Sequence, residues 1–379
     1  MDNIAGRKSS LTWAVHISVV LLVLLWLFPT AGLFVSSFRT GDQISSSGWW
    51  AAFSTQQRRE PAVRIDGDEV QRGGMFVIEG DLFPDRDMTI KAWGTSSRAV
   101  EAYDPGDVAD LDDGVTLTLD ETGAFTLTGP ESFEGQRLPR IFATASSPPE
   151  FTLANYENVL FRGTAGAGVG QAFINTATVA IPSTIIPILI AAFAAYALAW
   201  MDFPGRALLV AAVVALLVVP LQLALIPLLQ IHNVIGIGKS YMGTWAAHTA
   251  FGMPLAIYLL RNYMVGLPRD IIENAKVDGA TDFQIFVKII LPLSFPALAS
   301  FAIFQFLWTW NDLLVALVFL GTDDDRTVLT ARLVNLMGSR GGDWEILATS
   351  AFVSIAVPLA VFFAMQRYLV RGLLAGSVK

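Results

Sequence analysis

Cysteine is absent from the 379 residues, which excludes disulfides and thiolate metal sites. Histidine is limited to His16, His232 and His248, too few and too scattered for a zinc cluster. Charge is scarce: 15% of residues, where soluble domains carry about 25%. A formal net charge of -8 leaves no basic footprint for nucleic acid. A phosphate-binding loop is also missing. Gly238-Lys239-Ser240 ends like one, but Asn233 stands where its first glycine is needed. The Gly163–Gly170 run misses the dinucleotide fingerprint and reads as a flexible linker. If ATP powers this chain, a partner binds it.

What the sequence does have is apolar length. Hydrophobic residues make up 53%, and the mean hydropathy is +0.53. Stretches near Leu11–Phe38, Ala172–Ala199, Ala207–Leu229, Tyr241–Tyr263, Leu293–Leu320 and Leu347–Leu369 each suffice to cross about 30 Å of hydrocarbon as a helix. Arg7 and Lys8 precede the first, as in a signal peptide. The apolar run is too long for one, so it reads as a retained anchor.

Lys and Arg set the sides. Arg7 and Lys8, Arg206, the group Arg269, Lys276 and Lys288, and the group Arg367, Arg371 and Lys379 alternate onto one face. That face is expected to be cytoplasmic, with both termini on it. Residues 39–170, the Ile231–Ser240 loop and the Gly321–Ile346 loop then lie outside. The expected class is an all-α polytopic membrane protein of six transmembrane helices with an inserted extracytoplasmic β domain. Its parts are a cytoplasmic tail and first helix (1–38), a β-rich insert (39–150), a linker (151–170), a transmembrane domain (171–370) and a cytoplasmic tail (371–379).

The insert holds about twice as many acids as bases. Val115–Leu119 and Ala124–Thr128 alternate apolar and polar residues, and Asp120-Glu-Thr-Gly123 between them signals a hairpin. Met75–Ile78 and Met88–Ala92 read as further strands of a sandwich or small barrel.

The segment 264–292 is polar and lies between two apolar stretches. Asp270 with Glu273 three residues on reads as a capping box, and Thr281 with Gln284 as a second. Gly279 between them permits a left-handed turn. Ile271, Ile272, Ala275, Phe283 and Phe286 offer an apolar face. That face fits a partner's groove or a headgroup surface. In the fifth span Gln305, Trp308, Thr309 and Asp312 share one helical face, with Trp310 and Asn311 beside them. Such polar residues line a translocation path or hold helices and subunits together. Asn175, Gln222 and His248 carry the same ambiguity. A secondary transporter using Asp312 as a proton site, and a receptor sensing through the insert, remain open on this reading.

Glu273-x-Ala275, Asp278-Gly279-Ala280, Phe286, Ile290 and Leu291-Pro292-Leu293 resemble the EAA motif of binding-protein-dependent ABC importer permeases, with Asn274 where the family usually has Ala. Asn175-Thr176, Ala194–Leu198, Phe203–Arg206, Trp310–Asp312 and the ending Gly372–Val378 are similar to the carbohydrate (MalG-type) branch. The long insert resembles the α-glucoside-type permeases. The resemblance implies a non-catalytic permease subunit of the bacterial inner membrane, working by alternating access. Implied partners are a homologous second permease, an ATPase dimer, an extracytoplasmic sugar-binding protein, the sugar and membrane lipid. ATP and Mg would sit on the ATPases, with no cofactor on this chain. Glu273, Ala275, Asp278, Gly279, Ala280, Gly372 and Gly376 would meet the ATPases. Gly338, Arg340 and Gly341 would belong to a loop reaching the binding protein. Gln305, Trp308, Asn311 and Asp312 are the candidates for the sugar path or the permease interface.

Overall fold

The computed structural model describes residues 10–84, 88–162, 168–339 and 343–374. The chain divides into two compact units between Thr152 and Leu153. The first begins with α1 (Ser10–Ser36), α2 (Gly41–Ser46) and a short 3₁₀ turn at Trp49–Ala51. Nine strands follow: β1 (Gln56–Arg59), β2 (Val63–Arg64), β3 (Glu69–Arg72), β4 (Met75–Asp81), β5 (Thr89–Gly94), β6 (Val108–Asp110), β7 (Thr116–Leu119), β8 (Ala124–Gly129) and β9 (Arg140–Ser147).

All pairings are antiparallel, in one sheet ordered β1-β9-β2 with β5 also on β9, and a second ordered β3-β4-β8-β7-β6. The period-two alternation decides which side chains go in. On β7 and β8, Leu117, Leu119, Phe125 and Leu127 are buried, and the intervening threonines are only partly so. They meet Ile90, Trp93 and Ile141 of the other sheet in one core. The Asp120–Gly123 loop closes the hairpin through Asp120, whose Oδ1 accepts from the Thr122 and Ala124 amides at 2.8 and 3.0 Å.

The second unit is helical. It comprises α3 (Ala154–Glu157), α4 (Val169–Trp200), α5 (Arg206–Leu216), α6 (Leu221–Val234), α7 (Tyr241–Val265), α8 (Arg269–Val277), α9 (Asp282–Ile285), α10 (Leu291–Leu293), α11 (Phe295–Trp310), α12 (Leu314–Phe319), α13 (Leu329–Ser339) and α14 (Trp344–Leu374). A π turn over Phe286–Ile290 joins α9 to α10. Among the described residues three helices, α1, α4 and α14, are singly long and apolar enough to cross a membrane.

Four expectations need correcting. The third apolar stretch is not one helix: α5 and α6 meet at 108°. Pro220 at the junction cannot donate an amide and disfavours helical geometry in the residue before it. The fifth stretch breaks after Trp310, and a 69° bend at Ser294 precedes it. The 151–170 linker is largely structured, with α3, a π turn at Asn158–Arg162 and the start of α4, while residues 163–167 fall outside the described ones. The Gly321–Ile346 loop is built around α13, which includes Gly338, while Arg340 and Gly341 fall outside the described residues.

Candidate functional site

The α8–α9 turn is specified almost entirely by its own residues. Helix α8 opens at Pro268, with no side-chain cap. Asp270 is therefore not the cap expected of it. It lies inside the first turn, because Ile271 already donates to the Pro268 carbonyl. There its charge still complements the positive end of the helix. At the other end the Ala280 amide donates to the Ala275 carbonyl and the Gly279 amide to the Lys276 carbonyl, both at 3.0 Å. This is a Schellman closure, and Gly279 supplies the left-handed φ of +80° it demands. Thr281 starts α9 at once. Its Oγ1 accepts from the Gln284 amide at 3.3 Å, and its own amide donates to Gln284 Oε1 at 2.9 Å. Stop signal and start signal abut, so little slack is left between α8 and α9.

The two faces of this element differ sharply. Ile272, Ala275, Ile285, Phe286 and Ile290 are buried in a core shared with α4, α7 and α11. The Phe286 ring lies 4.7 Å from Phe193 and 5.2 Å from Tyr196 of α4. Tyr196 also donates to Asp282 at 3.5 Å. The expected apolar docking face is thus turned mostly inward, because burial against three helices removes more apolar area from water than exposure would. Ala275 makes its close approach to this chain's own helices. The outward face instead shows Glu273, Asn274, Asp278 and Gly279, with Ile271, Val277 and Phe283 as apolar points. Lys276 pairs with Asp282 at 3.5 Å, and Arg206 with Asp202 at 3.0 Å. Among the described residues Glu273 and Asp278 have no such partner. Glu273 opens onto a polar cleft of about 240 Å³ lined by Trp200, Asp202, Arg206, Arg269 and Lys276 among others. Gly372 lies near the end of α14, and Gly376 falls outside the described residues.

Three donor side chains of the helices share a logic that periodicity did not reveal. A proline within a helix leaves the carbonyl four residues earlier without its amide donor. Pro187 frees the Ser183 carbonyl, and Gln305 Nε2 donates to it at 3.1 Å. Pro182 frees that of Thr178, and Trp245 Nε1 donates to it at 2.8 Å. Pro358 frees that of Ser354, and Trp310 Nε1 donates to it at 3.0 Å. Gln305 reaches the His248 carbonyl as well, at 3.4 Å. Each donor comes from a different helix than its acceptor. Trp245 was not among the sequence candidates. Its signal was there, in a proline four residues after an orphaned carbonyl, but the partner could not be read.

The other fifth-span candidates separate. Asp312, one residue before the N-cap Leu313, accepts the Ala316 amide at 3.1 Å and so satisfies a first-turn amide of α12 after the break. Its carboxylate stands 3.9 Å from His248 Nε2, beyond hydrogen-bond reach. Trp308 and Asn311 are exposed on the unit's surface, and Asn311 donates to the Leu307 carbonyl. Asn175 and Thr176 anchor the segment before α13. Asn175 Nδ2 donates to the carbonyls of Asp325 and Thr327, and Thr176 Oγ1 accepts the Leu329 amide at 2.8 Å. The Gly238–Ser240 near-miss is a helix start, in which Ser240 Oγ accepts the Gly243 amide.

Residues 173–374 match the family described as binding-protein-dependent transport system inner membrane component. The alpha-glucoside transport system permease protein AglG of Rhizobium meliloti is 63% identical over 383 residues, covering 99% of this chain and 99% of that protein. The osmoprotective compounds uptake permease protein GgtD of Synechocystis sp. is 59% identical over 230 residues, 61% of this chain and 76% of that protein. A crystal structure of a bacterial ABC transporter involved in import of the acidic polysaccharide alginate aligns over 59% of this chain and 81% of that one, with TM-score 0.49 and 21% identity.

Proposed function

The chain belongs to the family of binding-protein-dependent transport inner membrane components, as a non-catalytic permease of an ABC sugar importer, and on that premise we propose that its cargo is an α-glucoside. One observation carries the choice of sugar. The 63% identity to an alpha-glucoside permease runs through the β-rich unit as well as the helices, whereas the similarity to GgtD covers 61% of the chain.

The proposed topology has six spans, with α5 and α6 counted as one bent span and α7 as another. The Lys/Arg distribution supports both termini and the α8–α9 turn on the cytoplasmic side, and the β-rich unit outside. In the proposed mechanism the outward face of α8 docks in an ATPase subunit, with Glu273 and Asp278 pairing to basic groups there. Their carboxylates have no partner within the described chain, which leaves them free for one. The buried face, through Ile272, Ala275 and Phe286, would pass the displacement to α4, α7 and α11 as packed side chains. A second permease, two ATPases and an extracytoplasmic sugar-binding protein complete the proposed assembly. Differential affinity of these partners for the two conformations supplies the drive.

The test is transport of labelled maltose into proteoliposomes holding the whole complex. Wild type should take up sugar only with ATP on the ATPase side. Glu273→Ala with Asp278→Ala should lower coupled uptake by about tenfold, equivalent to about 1.4 kcal/mol of lost coupling. Its melting temperature should match wild type, since both residues are exposed. Uptake without ATP would overturn the importer reading, and full coupling in the double variant would overturn the docking role.

A further inference from the structure

The chain that leaves α1 folds back along it. Arg39 holds the reversal: its buried guanidinium donates to the carbonyls of Gln43 and Ser47 and to Ser47 Oγ. Thr40 and Gln43 close a capping box at the start of α2. The chain then meets α1 again at Trp49, whose ring lies 4.7 Å from that of Phe28. The approach is tight enough that a Cβ at Gly32 would fall 2.6 Å from Trp49 Nε1.

These contacts fix a depth. Phe28 and Gly32 lie about two turns and one turn before Ser36, so Trp49 sits about 6–12 Å back from the helix end. Helix α1 has 27 residues and is about 40 Å long, against about 30 Å of hydrocarbon. Centred, it overshoots each boundary by about 5 Å, which puts Trp49 about 1–7 Å inside the acyl edge, just below its junction with the headgroups. Beside it Trp50 is 71% exposed and Phe53 76%. Trp50 packs edge-on against Trp49, and Phe53 against Phe151. The exposed residues Ser45, Ser46 and Ser54 neighbour these rings in sequence. Rings with a polar surround are what that layer selects.

We propose that Trp50, Phe53 and Phe151 form a lipid anchor, inserted at the acyl–headgroup boundary of the leaflet where α1 ends. The anchor holds the base of the β-rich unit against the bilayer surface. Lipid is the occupant because Trp49 joins the patch to the exposed apolar surface of α1, which a bilayer must cover. The inference rests on α1 being a span.

The cysteine-free chain lends itself to the test. Spin labels are placed one at a time at Phe53→Cys, at Leu22→Cys in mid-α1 and at Val108→Cys on β6, in the whole transporter in phospholipid nanodiscs. Collision with oxygen is compared with collision with a water-soluble nickel chelate. The oxygen-to-nickel ratio at position 53 should be severalfold above that at 108 and below that at 22. A ratio equal to that at 108 overturns the anchor, and low collision with both reagents overturns it in favour of a protein partner. A water-like ratio at 22 overturns the span and the anchor together. As a second measurement, Trp50→Phe should reduce quenching of intrinsic fluorescence by lipids brominated near the carbonyl, and unchanged quenching counts against the anchor.

Discussion

The α8–α9 turn and the proline sites of α4 and α14 face the same problem, backbone groups with no helical partner, and solve it at opposite ranges. In the turn, the carbonyls of Ala275 and Lys276 are taken by amides three to five residues on, and Thr281 and Gln284 exchange two bonds across three residues. At the prolines the donors come from 44, 67 and 122 residues away. The local solution needs no distant partner for its backbone groups, while the short helices it joins take their stability from packing. The distant one exists only once the bundle has assembled, and it welds helices together where apolar packing alone would let them slide.

The comparison breaks most visibly at Gln305. Replacing it with Leu strands the Ser183 carbonyl and should cost about 1–2 kcal/mol of stability, read as a lower melting temperature in detergent. Pro187→Ala in that background restores a local amide to Ser183 and should recover part of the loss. Strict additivity of the two changes would defeat the account. The turn should be as sensitive but differently so. Gly279→Val forces a β-branched residue to φ +80° at about 1–2 kcal/mol. Coupled sugar uptake should fall with it, because the docking residue Glu273 and the buried Phe286 lose their relative placement. Gly279→Asn should lose much less, and equal losses would show that φ is not the issue.

The smallest effect is the hairpin loop in the β-rich unit, a second case of local satisfaction. Burial works to raise the Asp120 carboxyl, but bonds from the Thr122 hydroxyl and nearby amides outweigh it and hold it below its ordinary 3.8. A depressed carboxylate stabilises fully above its unfolded value and loses that contribution as pH falls through the folded one. Wild type should therefore show an added loss of near-UV circular dichroism below about pH 4, which Asp120→Ala lacks. Superimposable acid curves for the two proteins would remove the loop's role.

How much could be read beforehand follows the same division. Gly279, Thr281 and Gln284 announced their turn because turn chemistry is written in adjacent residues, and β7, β8 and their loop were legible for the same reason. Asp270 misled because Pro268 opened the helix two residues earlier. The inward turn of Ile272, Ala275 and Phe286 was hidden, since amphipathicity shows that a face is apolar but not what covers it. Gln305 was visible as a costly polar residue in a span, and its partner was not, because a donor and a freed carbonyl 122 residues apart share no local pattern. The break at Asn311–Leu313 escaped because the apolar residues on either side keep the averaged hydropathy of the stretch high despite Asn311 and Asp312.

The proline contacts also bear on how such a chain can change by descent. Pro187 and Gln305 are each tolerable because of the other, as are Pro182 with Trp245 and Pro358 with Trp310. Losing a proline first is mild, since the carbonyl has two lone pairs and can accept the restored helix amide while keeping the distant donor. Losing the donor first leaves a carbonyl bare among apolar side chains. Inheritance should thus run through these pairs in one direction, with the proline leaving before its companion.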